Sequence, residues 1–291
     1  MTSILSIIES NEEIKKSIQH EKPFSVVRLG SNEVFLTYAY LLTNKIHERF
    51  LHPQLKTLYN AGIYTRDKNI NKMVLFCKFY DRALKMSDKI ACFPNLLVKM
   101  QDYFARQYNL EKIHSRSLEP FYASLENEIP WSQTLYKKKV LIIHPFVNSF
   151  QKQLKNNFKI FKDKNKQLFH PEQEFKFYKT FQTIAGNHIH NDWFETFTIM
   201  CNDIKNIDFD IALLGCGGYG LPLCDFIKSK LNKSAIYVGG GLQLMFGVMG
   251  KRWENNEMWK KIIQENDCKF IRPSQEEICP NLKTIEGGCY W

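Results

Sequence analysis

The sequence predicts an α/β protein with a Rossmann-like, mostly parallel sheet flanked by helices. The first observation is an apolar run at 209–214 that ends in a glycine-rich turn, precedes apolar residues at helical spacing, and leads into a second apolar run at 235–238. This order of strand, turn, helix and strand is one βαβ unit. The second observation is that short apolar runs at 24–29, 89–93 and 138–143 are separated by stretches of helical periodicity. Such alternation is typical of a parallel sheet covered by helices.

The remaining elements follow from local patterns along the chain. In the first half we expect a helix at 3–19, a strand from 24 to Gly30 and a helix from Ser31 or Asn32. Residues 36–107 should be mostly helical, with breaks at His52 and 60–64 and a strand at 89–93. In the second half we expect a strand at 138–144, strand-like or mixed structure at 175–183, a helix at 193–204, and an irregular, docked tail at 266–291.

Length and composition predict one globular unit. A chain of 291 residues, 44% hydrophobic and 24% charged, can bury a large core and is too apolar for long disordered segments. We expect a single α/β domain over 1–291 with two subregions, about 1–113 and 138–291. The connection at 114–137 lacks clear periodicity, and we expect it to cross the mouth of the site.

The composition also indicates a cytoplasmic protein with an anionic partner. Acidic residues stand close behind the first apolar run, which argues against a signal peptide or a membrane span there. The eight cysteines lie far apart without a CxxC pair, as expected of reduced, buried thiols. The net charge of +10 favours nucleic acid, a phosphorylated substrate or the anionic inner face of a membrane. The lysines at 152–166 favour a solvated helix face, and no nucleic-acid module accompanies them.

The glycine turn at 215–220, Gly-Cys-Gly-Gly-Tyr-Gly, is the first candidate site. Glycines let the backbone approach a ligand closely, and the N–H groups of the following helix favour a phosphate or diphosphate. The turn fits a dinucleotide fingerprint only in part, because Pro222 stands in the first helical turn and no acidic residue follows the second strand at Val238. A tight structural turn is the alternative. The candidate residues here are Gly215, Gly217, Gly218, Tyr219 and Gly220.

Three further groups of residues are expected near the turn. Arg28, Gly30, Ser31 and Glu33 follow the first strand, and His144 follows another, where open α/β sheets place their ligands. The third group suggests a loop that closes on something negatively charged, with glycines at 247 and 250. It contains Gly240, Gln243, Lys251, Arg252 and Trp253.

Each of these side chains has a structural alternative as well. A glutamate in the first turn of a helix caps it, which applies to Glu33. A histidine before a proline can bond buried backbone, which applies to His144. Arg28 could serve in an internal ion pair, and Tyr219 or Trp253 in core packing.

With these residues assembled, the chain resembles GT-D-type glycosyltransferases, in which an Arg-x-Gly-Asp-x-Glu turn handles a nucleotide sugar and its metal. The matching turn is Arg28-Leu-Gly-Ser-Asn-Glu, with Ser31 in place of the motif aspartate. The chain also resembles bacterial proteins from envelope-polysaccharide settings that share His-Pro-Phe, Gly-Cys-Gly-x-Tyr-Gly, Gly-Gly-x-x-Gln-x-x-Phe-Gly-x-x-Gly-Lys-Arg-Trp and a closing Gly-Cys-Tyr-Trp. This second likeness runs from about residue 24 to residue 291.

The resemblance implies a cytoplasmic glycosyltransferase, in peripheral contact with the inner membrane face, that moves a sugar from a nucleotide diphosphate donor to a glycan or lipid-linked glycan of the envelope. Glu33 would be the metal ligand, for Mn²⁺ or Mg²⁺, or the catalytic base, with His144 as the alternative base. Because Ser31 removes one carboxylate, Lys251 and Arg252 could replace the metal charge. Two rivals stay open: an enzyme that uses NAD or S-adenosylmethionine, and a non-catalytic protein that binds acidic glycan or nucleic acid.

Overall fold

The computed structural model describes residues 3–20, 22–46, 58, 61–67, 69–285 and 287–291. Its centre is a sheet of seven strands in the order β3-β2-β1-β7-β6-β4-β5, and every pairing between neighbours is parallel. The strands are β1 (Ser25–Arg28), β2 (Lys89–Cys92), β3 (Glu111–His114), β4 (Val140–His144), β5 (Phe175–Lys179), β6 (Ile211–Leu214) and β7 (Ser234–Tyr237). The predicted fold class is confirmed.

Helices cover both faces of the sheet. They are α1 (Ile7–Gln19), α2 (Ser31–Thr43), α3 (Ile70–Lys85), α4 (Val98–Tyr108), α5 (Phe121–Leu125), α6 (Val147–Lys155), α7 (Trp193–Ile204), α8 (Gly220–Leu231), α9 (Leu242–Met245), α10 (Lys251–Glu254) and α11 (Glu257–Asn266). No helix in the described ranges is both long and apolar enough to cross a membrane.

The alternation of side chains along each strand divides the core into two layers. In β1, Val27 belongs to the layer that also contains residues of α2, α3, α7 and α8, whereas Val26 belongs to the opposite layer, with residues of α1, α6 and α11. A parallel sheet buried on both faces needs apolar residues at nearly every strand position. This explains why the strands appear in the sequence as short continuous apolar runs.

Strands of both predicted subregions belong to the same sheet. Strand β1, from the first subregion, pairs with β7, from the second, with Ser25 opposite Ala235. The chain leaves β4 for β5 in one direction along the sheet and leaves β6 for β7 in the other. Since β4 and β6 are neighbours, the loops after them diverge. Open α/β sheets bind ligands in the crevice that such divergence creates.

Three local expectations differ from the structure. The connection at 114–137 forms short helical turns that pack on α1, with Trp131 fully buried, and none of its residues lines the cavity described below. Residues 152–166 were expected to form a solvated helix face, but the helix ends at Lys155. Most lysines of the stretch are exposed, as expected. Lys251 and Arg252 lie on the short helix α10 rather than in a loop. The expected break at His52 falls outside the described residues, whereas the described part of the break at 60–64, residues 61–64, is non-helical as expected.

The cysteines and the tail follow their predicted character. All eight cysteines are free thiols, and all except the partly buried Cys289 are buried. In the tail, the indole N–H of Trp291 donates to the carbonyl of Glu277 at 3.1 Å. Arg272 donates to the main-chain oxygen of Trp291 at 2.6 Å. The end of the described chain is therefore docked on the domain.

Candidate functional site

A cavity of about 360 Å³ opens along the carboxyl edge of the sheet. Residues at or just after the carboxyl ends of five strands line it, in sheet order Arg28 (β1), Gly239 (β7), Gly215 (β6), His144 (β4) and Thr180 (β5). Neighbouring strands lie about 4.8 Å apart, so the cavity runs about 19 Å across the sheet. Its volume falls within the usual range for small-molecule sites.

The structure brings most of the sequence-predicted residues together at this cavity. Those that line it are Arg28, Gly30, Ser31, Glu33, His144, Gly215, Gly217, Tyr219, Gly240, Gln243 and Arg252. Gly218, Gly220 and Lys251 do not line it. A Cβ at Gly218 would meet Ile63, and one at Gly220 would overlap the ring of Tyr237. These two glycines allow close packing behind the turn, and Lys251 is exposed on α10.

The glycine turn (residues 215–220) presents backbone to the cavity. A Cβ at Gly215 would lie 2.6 Å from the imidazole of His144 and 2.8 Å from the carbonyl oxygen of Gly239. Gly217 has φ +57°, which favours glycine, and its carbonyl accepts the hydroxyl of Tyr237 at 2.8 Å. Within the described part of the chain, the N–H groups of Cys216 and Gly217 donate to no acceptor. These two donors can bind an anion.

Arg28 places a positive charge at the β1 end of the cavity. Its guanidinium lies 5.2 Å from the ring centre of Phe93 and donates to the carbonyl of Val238 at 3.4 Å. No carboxylate of the described residues forms an ion pair with it. Arg28 thus forms no close ion pair with the described residues, although its charge acts on the buried carboxyls of Glu33 and Glu119.

Glu33 is buried at the start of α2 and lies against Gly30. Burial raises the pKa of this carboxyl, while hydrogen bonds from the backbone N–H groups of Glu33 and Asn32 and the charge of Arg28 act in the opposite direction. The N–H groups of the first turn thus act on this carboxyl, in the direction that the structural alternative expects, and the residue lines the cavity as well.

His144 is 3% exposed, and its Nδ1 accepts the backbone N–H of Phe146 at 3.0 Å. Burial lowers the pKa of the imidazole to about 3, so the ring is neutral at pH 7. In a neutral imidazole one nitrogen accepts and the other donates. Because Nδ1 accepts, the hydrogen-bond network assigns the proton to Nε2. His144 is therefore a donor toward the cavity, and the general-base role considered from the sequence does not fit this tautomer.

The tail supplies a wall that the sequence patterns did not indicate. Ile285, Tyr290 and Trp291 line the cavity. The guanidinium of Arg252 lies 5.4 Å from the ring centre of Tyr290 and donates to its hydroxyl at 2.8 Å. The buried amide of Gln243 holds the tail by donating to the carbonyls of Val248 and Tyr290. Gly250 permits this contact, since a Cβ there would overlap the backbone of Tyr290.

The segment after β5 (residues 180–184) is the other wall that sequence analysis missed. It contributes Thr180, Phe181, Gln182, Thr183 and Ile184 to the cavity. The hydroxyl of Thr183 contacts the hydroxyl of Tyr219 at 2.8 Å and donates to the carbonyl of Gly62 at 2.7 Å. Tyr219 also stacks on Trp193 at 5.3 Å, so its ring is core packing. The position of this segment at the end of a predicted strand was a signal that could have identified it.

The residues at the cavity do not form a set suited to a divalent cation. Among the described residues there is no group of three or more His, Cys, Asp or Glu side chains that could hold a metal ion. Glu33 is the sole carboxylate in the described lining, and backbone N–H groups engage it. Mn²⁺ and Mg²⁺ prefer several oxygen ligands, usually including more than one carboxylate or substrate phosphate.

Comparison with known proteins identifies one family. A family model described as a GT-D fold-like domain matches residues 6–245. No curated protein matches the chain. A solved structure titled "Selenomethionine substituted structure of domain of unknown function 1792" aligns over 95% of this chain and 94% of its own, at 14% identity with a TM-score of 0.48.

Proposed function

The chain belongs to the GT-D-like family, and from this membership and the geometry of the cavity we propose that it is a glycosyltransferase that uses a nucleotide diphosphate sugar as donor. Its fold is glycosyltransferase-like, as the resemblance to GT-D enzymes implied. Activity, donor and acceptor are the proposed part. The observation that carries the proposal is that Arg28, Arg252 and the glycine turn line one cavity.

The chemistry follows from charge. Transfer of a sugar breaks the bond between its anomeric carbon and the diphosphate, and the electron pair leaves with the diphosphate. Arg28 and Arg252 provide positive charge for this leaving group, and the free N–H groups of Cys216 and Gly217 can bind its oxygens. Both arginines interact electrostatically with the same carboxyl, that of Glu119, so they lie at the same end of the cavity.

A base must take the proton of the acceptor hydroxyl as the new bond forms. We assign this role to Glu33, the one carboxylate in the described lining, whose raised pKa makes it a stronger base than an exposed glutamate. His144 serves as a neutral donor at Nε2 instead. The two arginines replace the metal charge that the family resemblance implied, because the described residues offer no suitable ligand set for Mn²⁺ or Mg²⁺.

The acceptor is proposed to be a glycan or lipid-linked glycan of the cell envelope. Support comes from the motifs shared with envelope-polysaccharide proteins, among them Gly215 to Gly220 and Lys251-Arg252-Trp253. A net charge of +10 would favour contact with the anionic inner membrane face, where sugars would be added to a lipid-linked acceptor.

Thermal unfolding in the presence of a ligand panel tests the proposed function. The panel contains UDP-, GDP- and CMP-sugars, NAD and S-adenosylmethionine, because a ligand that binds the native state raises the unfolding temperature. Stabilisation by one nucleotide diphosphate sugar, followed by release of its nucleoside diphosphate in the presence of glycan acceptor, supports the proposal. Stabilisation by NAD or S-adenosylmethionine alone would support the rival enzyme class, and stabilisation by none of the panel would favour a non-catalytic binding protein.

A further inference from the structure

The two ends of the cavity differ in charge. Arg28 and Arg252 lie at the end near β1 and β7, since Arg28 ends β1 and Tyr290, which contacts Arg252, packs on Gly240. This is the cationic end. The segment at 180–184, beside β4 and β5, contributes only uncharged side chains. We call it the neutral end. Of the five strands that line the cavity, the two outermost, β1 and β5, lie about 19 Å apart along the edge of the sheet.

Thr180 contributes a polar atom without a partner at the neutral end. The residue is 5% exposed, and its N–H donates to the carbonyl of His144 at 3.4 Å. Its Oγ1 is buried and forms no hydrogen bond with the described chain. Buried hydroxyls in proteins are nearly always hydrogen-bonded, and an unsatisfied one is costly. Because Thr180 lines the cavity, a small rotation of its side chain would bring this hydroxyl to a ligand group there, which would provide the missing bond.

Gln182 contributes a second buried atom without a hydrogen-bond partner, and this atom can be identified as an acceptor. Its Nε2 donates to the carbonyl of Glu277 at 2.9 Å, while its Oε1 is buried and unpartnered. Exchange of the two amide atoms would set oxygen against the carbonyl oxygen of Glu277, so the hydrogen-bond network fixes their assignment. The unpartnered atom is therefore an acceptor, which requires an O–H or N–H from the ligand.

From these contacts we propose that the neutral end binds the sugar ring of the donor and selects uncharged sugars over sugar acids. The inference rests on the proposed function and extends it to the class of sugar. A sugar hydroxyl can donate to Oε1 of Gln182 and exchange a hydrogen bond with Oγ1 of Thr180. An ionised sugar carboxylate placed at this end would have no proton to donate to Oε1 of Gln182, and residues 180–184 supply no cation to pair with it. A site built for a hydrogen-bonding ligand discriminates strongly, since a wrong ligand leaves buried groups unpaired.

The neighbouring Thr183 serves as a contrast. Its hydroxyl is satisfied by Gly62 and Tyr219, so it supports the wall of the cavity and has no bond to offer. Removal of the Thr183 hydroxyl should lower the stability of the fold. Removal of the Thr180 hydroxyl should not, because no bond in the protein is lost. This difference separates a ligand-binding role from a structural one.

Isothermal titration calorimetry on the full chain tests the inference, with UDP, UDP-glucose and UDP-glucuronic acid as probes and GDP with GDP-mannose as a second set. We expect Thr180→Val to weaken binding of the nucleotide sugar about fivefold to tenfold. Binding of the bare nucleoside diphosphate and the unfolding temperature should not fall. Thr180→Ser, which keeps the hydroxyl, should restore most of the affinity. Ser124→Ala is the matched control, because it removes another buried unpartnered hydroxyl that does not line the cavity.

The possible results distinguish the inference from the proposed function. Equal losses for the sugar and the bare nucleotide in Thr180→Val, or no loss for either, would overturn the inference while the proposed function stands. Binding of UDP-glucuronic acid as tight as that of UDP-glucose would overturn the selectivity. If neither diphosphate set binds to the wild-type chain, the proposed function fails, and the assignment of the neutral end fails with it.

Discussion

The Nδ1 atom of His144 accepts the backbone N–H of Phe146 at 3.0 Å. This bond decides what His144 can do at the cavity, because it leaves Nε2 as the nitrogen that carries the proton of the neutral ring. Since burial lowers the pKa of the ring to about 3, the neutral form persists through the physiological range. His144 can donate to an oxygen of the substrate but has no free lone pair to accept a proton from it.

Two amide substitutions separate the two nitrogens of His144. In His144→Asn the side-chain oxygen can take the place of Nδ1 and accept the N–H of Phe146, but the donor at Nε2 is lost. In His144→Gln the longer amide can place a donor near Nε2. We expect His144→Gln to retain more turnover than His144→Asn, measured as release of nucleoside diphosphate. A reversed order of turnover would show that the bond to Phe146 is what activity requires.

The next prediction concerns Glu33 as the base. Glu33→Gln keeps a group that can cap α2 but removes the ability to accept a proton, so turnover should fall by about a hundredfold or more while donor binding persists. In the wild type, turnover should rise with pH as Glu33 loses its proton, at a pH above the usual range for glutamate because burial raises its pKa. Glu174→Gln, the same amide change at an exposed carboxylate outside the cavity lining, is the control. Near wild-type turnover in Glu33→Gln would limit Glu33 to capping.

The raised pKa of the Glu119 carboxyl predicts that the free energy of unfolding depends on pH. Burial raises its pKa from 4.5 to about 7, and Arg28, Arg252 and Arg116 oppose the shift. Below about pH 4.5 the carboxyl is protonated in both states. Between pH 4.5 and 7 the unfolded chain loses the proton first, so the free energy of unfolding falls as the pH rises. Above pH 7 both states are ionised, and this contribution levels off.

Glu119→Gln should remove that decline, which is on the order of 3 kcal/mol by the relation of about 1.4 kcal/mol per pKa unit. Urea denaturation at pH 4.5, 6 and 8 should show the variant gaining stability over the wild type as the pH rises. The exposed Glu128→Gln is the matched control and should show no such trend. A parallel pH dependence in Glu119→Gln and the wild type would contradict the raised pKa.

Removal of divalent metal tests the charge balance of the cavity. Because Glu33 is the sole carboxylate in its described lining, we expect transfer in excess EDTA to keep at least about half of its rate, with Arg28 and Arg252 as the source of positive charge. The rate should not rise when Mn²⁺ or Mg²⁺ is added back. A loss of a hundredfold in EDTA, reversed by either ion, would show that the diphosphate itself completes a metal site.

The sequence allowed the sheet and the middle of the site to be predicted, because both depend on local patterns. Apolar runs indicated the strands, and parallel strands gather their carboxyl ends at one edge, which placed Arg28, His144 and Gly215 together. The roles of individual glycines were less accessible. Gly218 and Gly220 resemble cavity residues in the motif, but they make room for Ile63 and Tyr237, contacts that only the tertiary structure shows.

The two walls of the cavity show why the rest escaped prediction. Thr180 and Gln182 carry no motif, and the role proposed for them rests on hydrogen bonds that Oγ1 and Oε1 do not form with the described residues. Tyr290 and Trp291 are near the end of the chain and reach the cavity through contacts with Gly240, Gln243 and Phe146, far away in sequence. Periodicity and spacing describe neighbours along the chain, so they contain little information about such contacts.

The last prediction concerns two adjacent cations that the sequence could not tell apart. On α10, Arg252 lines the cavity beside Tyr290, whereas Lys251 is exposed and does not line it. Arg252→Ala should therefore weaken binding of UDP or GDP about tenfold, which corresponds to about 1.4 kcal/mol for one charge-assisted contact at a partly solvated site. Binding of uridine or guanosine should hardly change, because the lost contact is to phosphate. Lys251→Ala is the matched control, with the same loss of charge one residue away, and should bind the diphosphates like the wild type. Titration calorimetry on both variants decides the matter: equal losses would mean that the positive field of the surface attracts the nucleotide, and that the position of Arg252 over Tyr290 has no specific role.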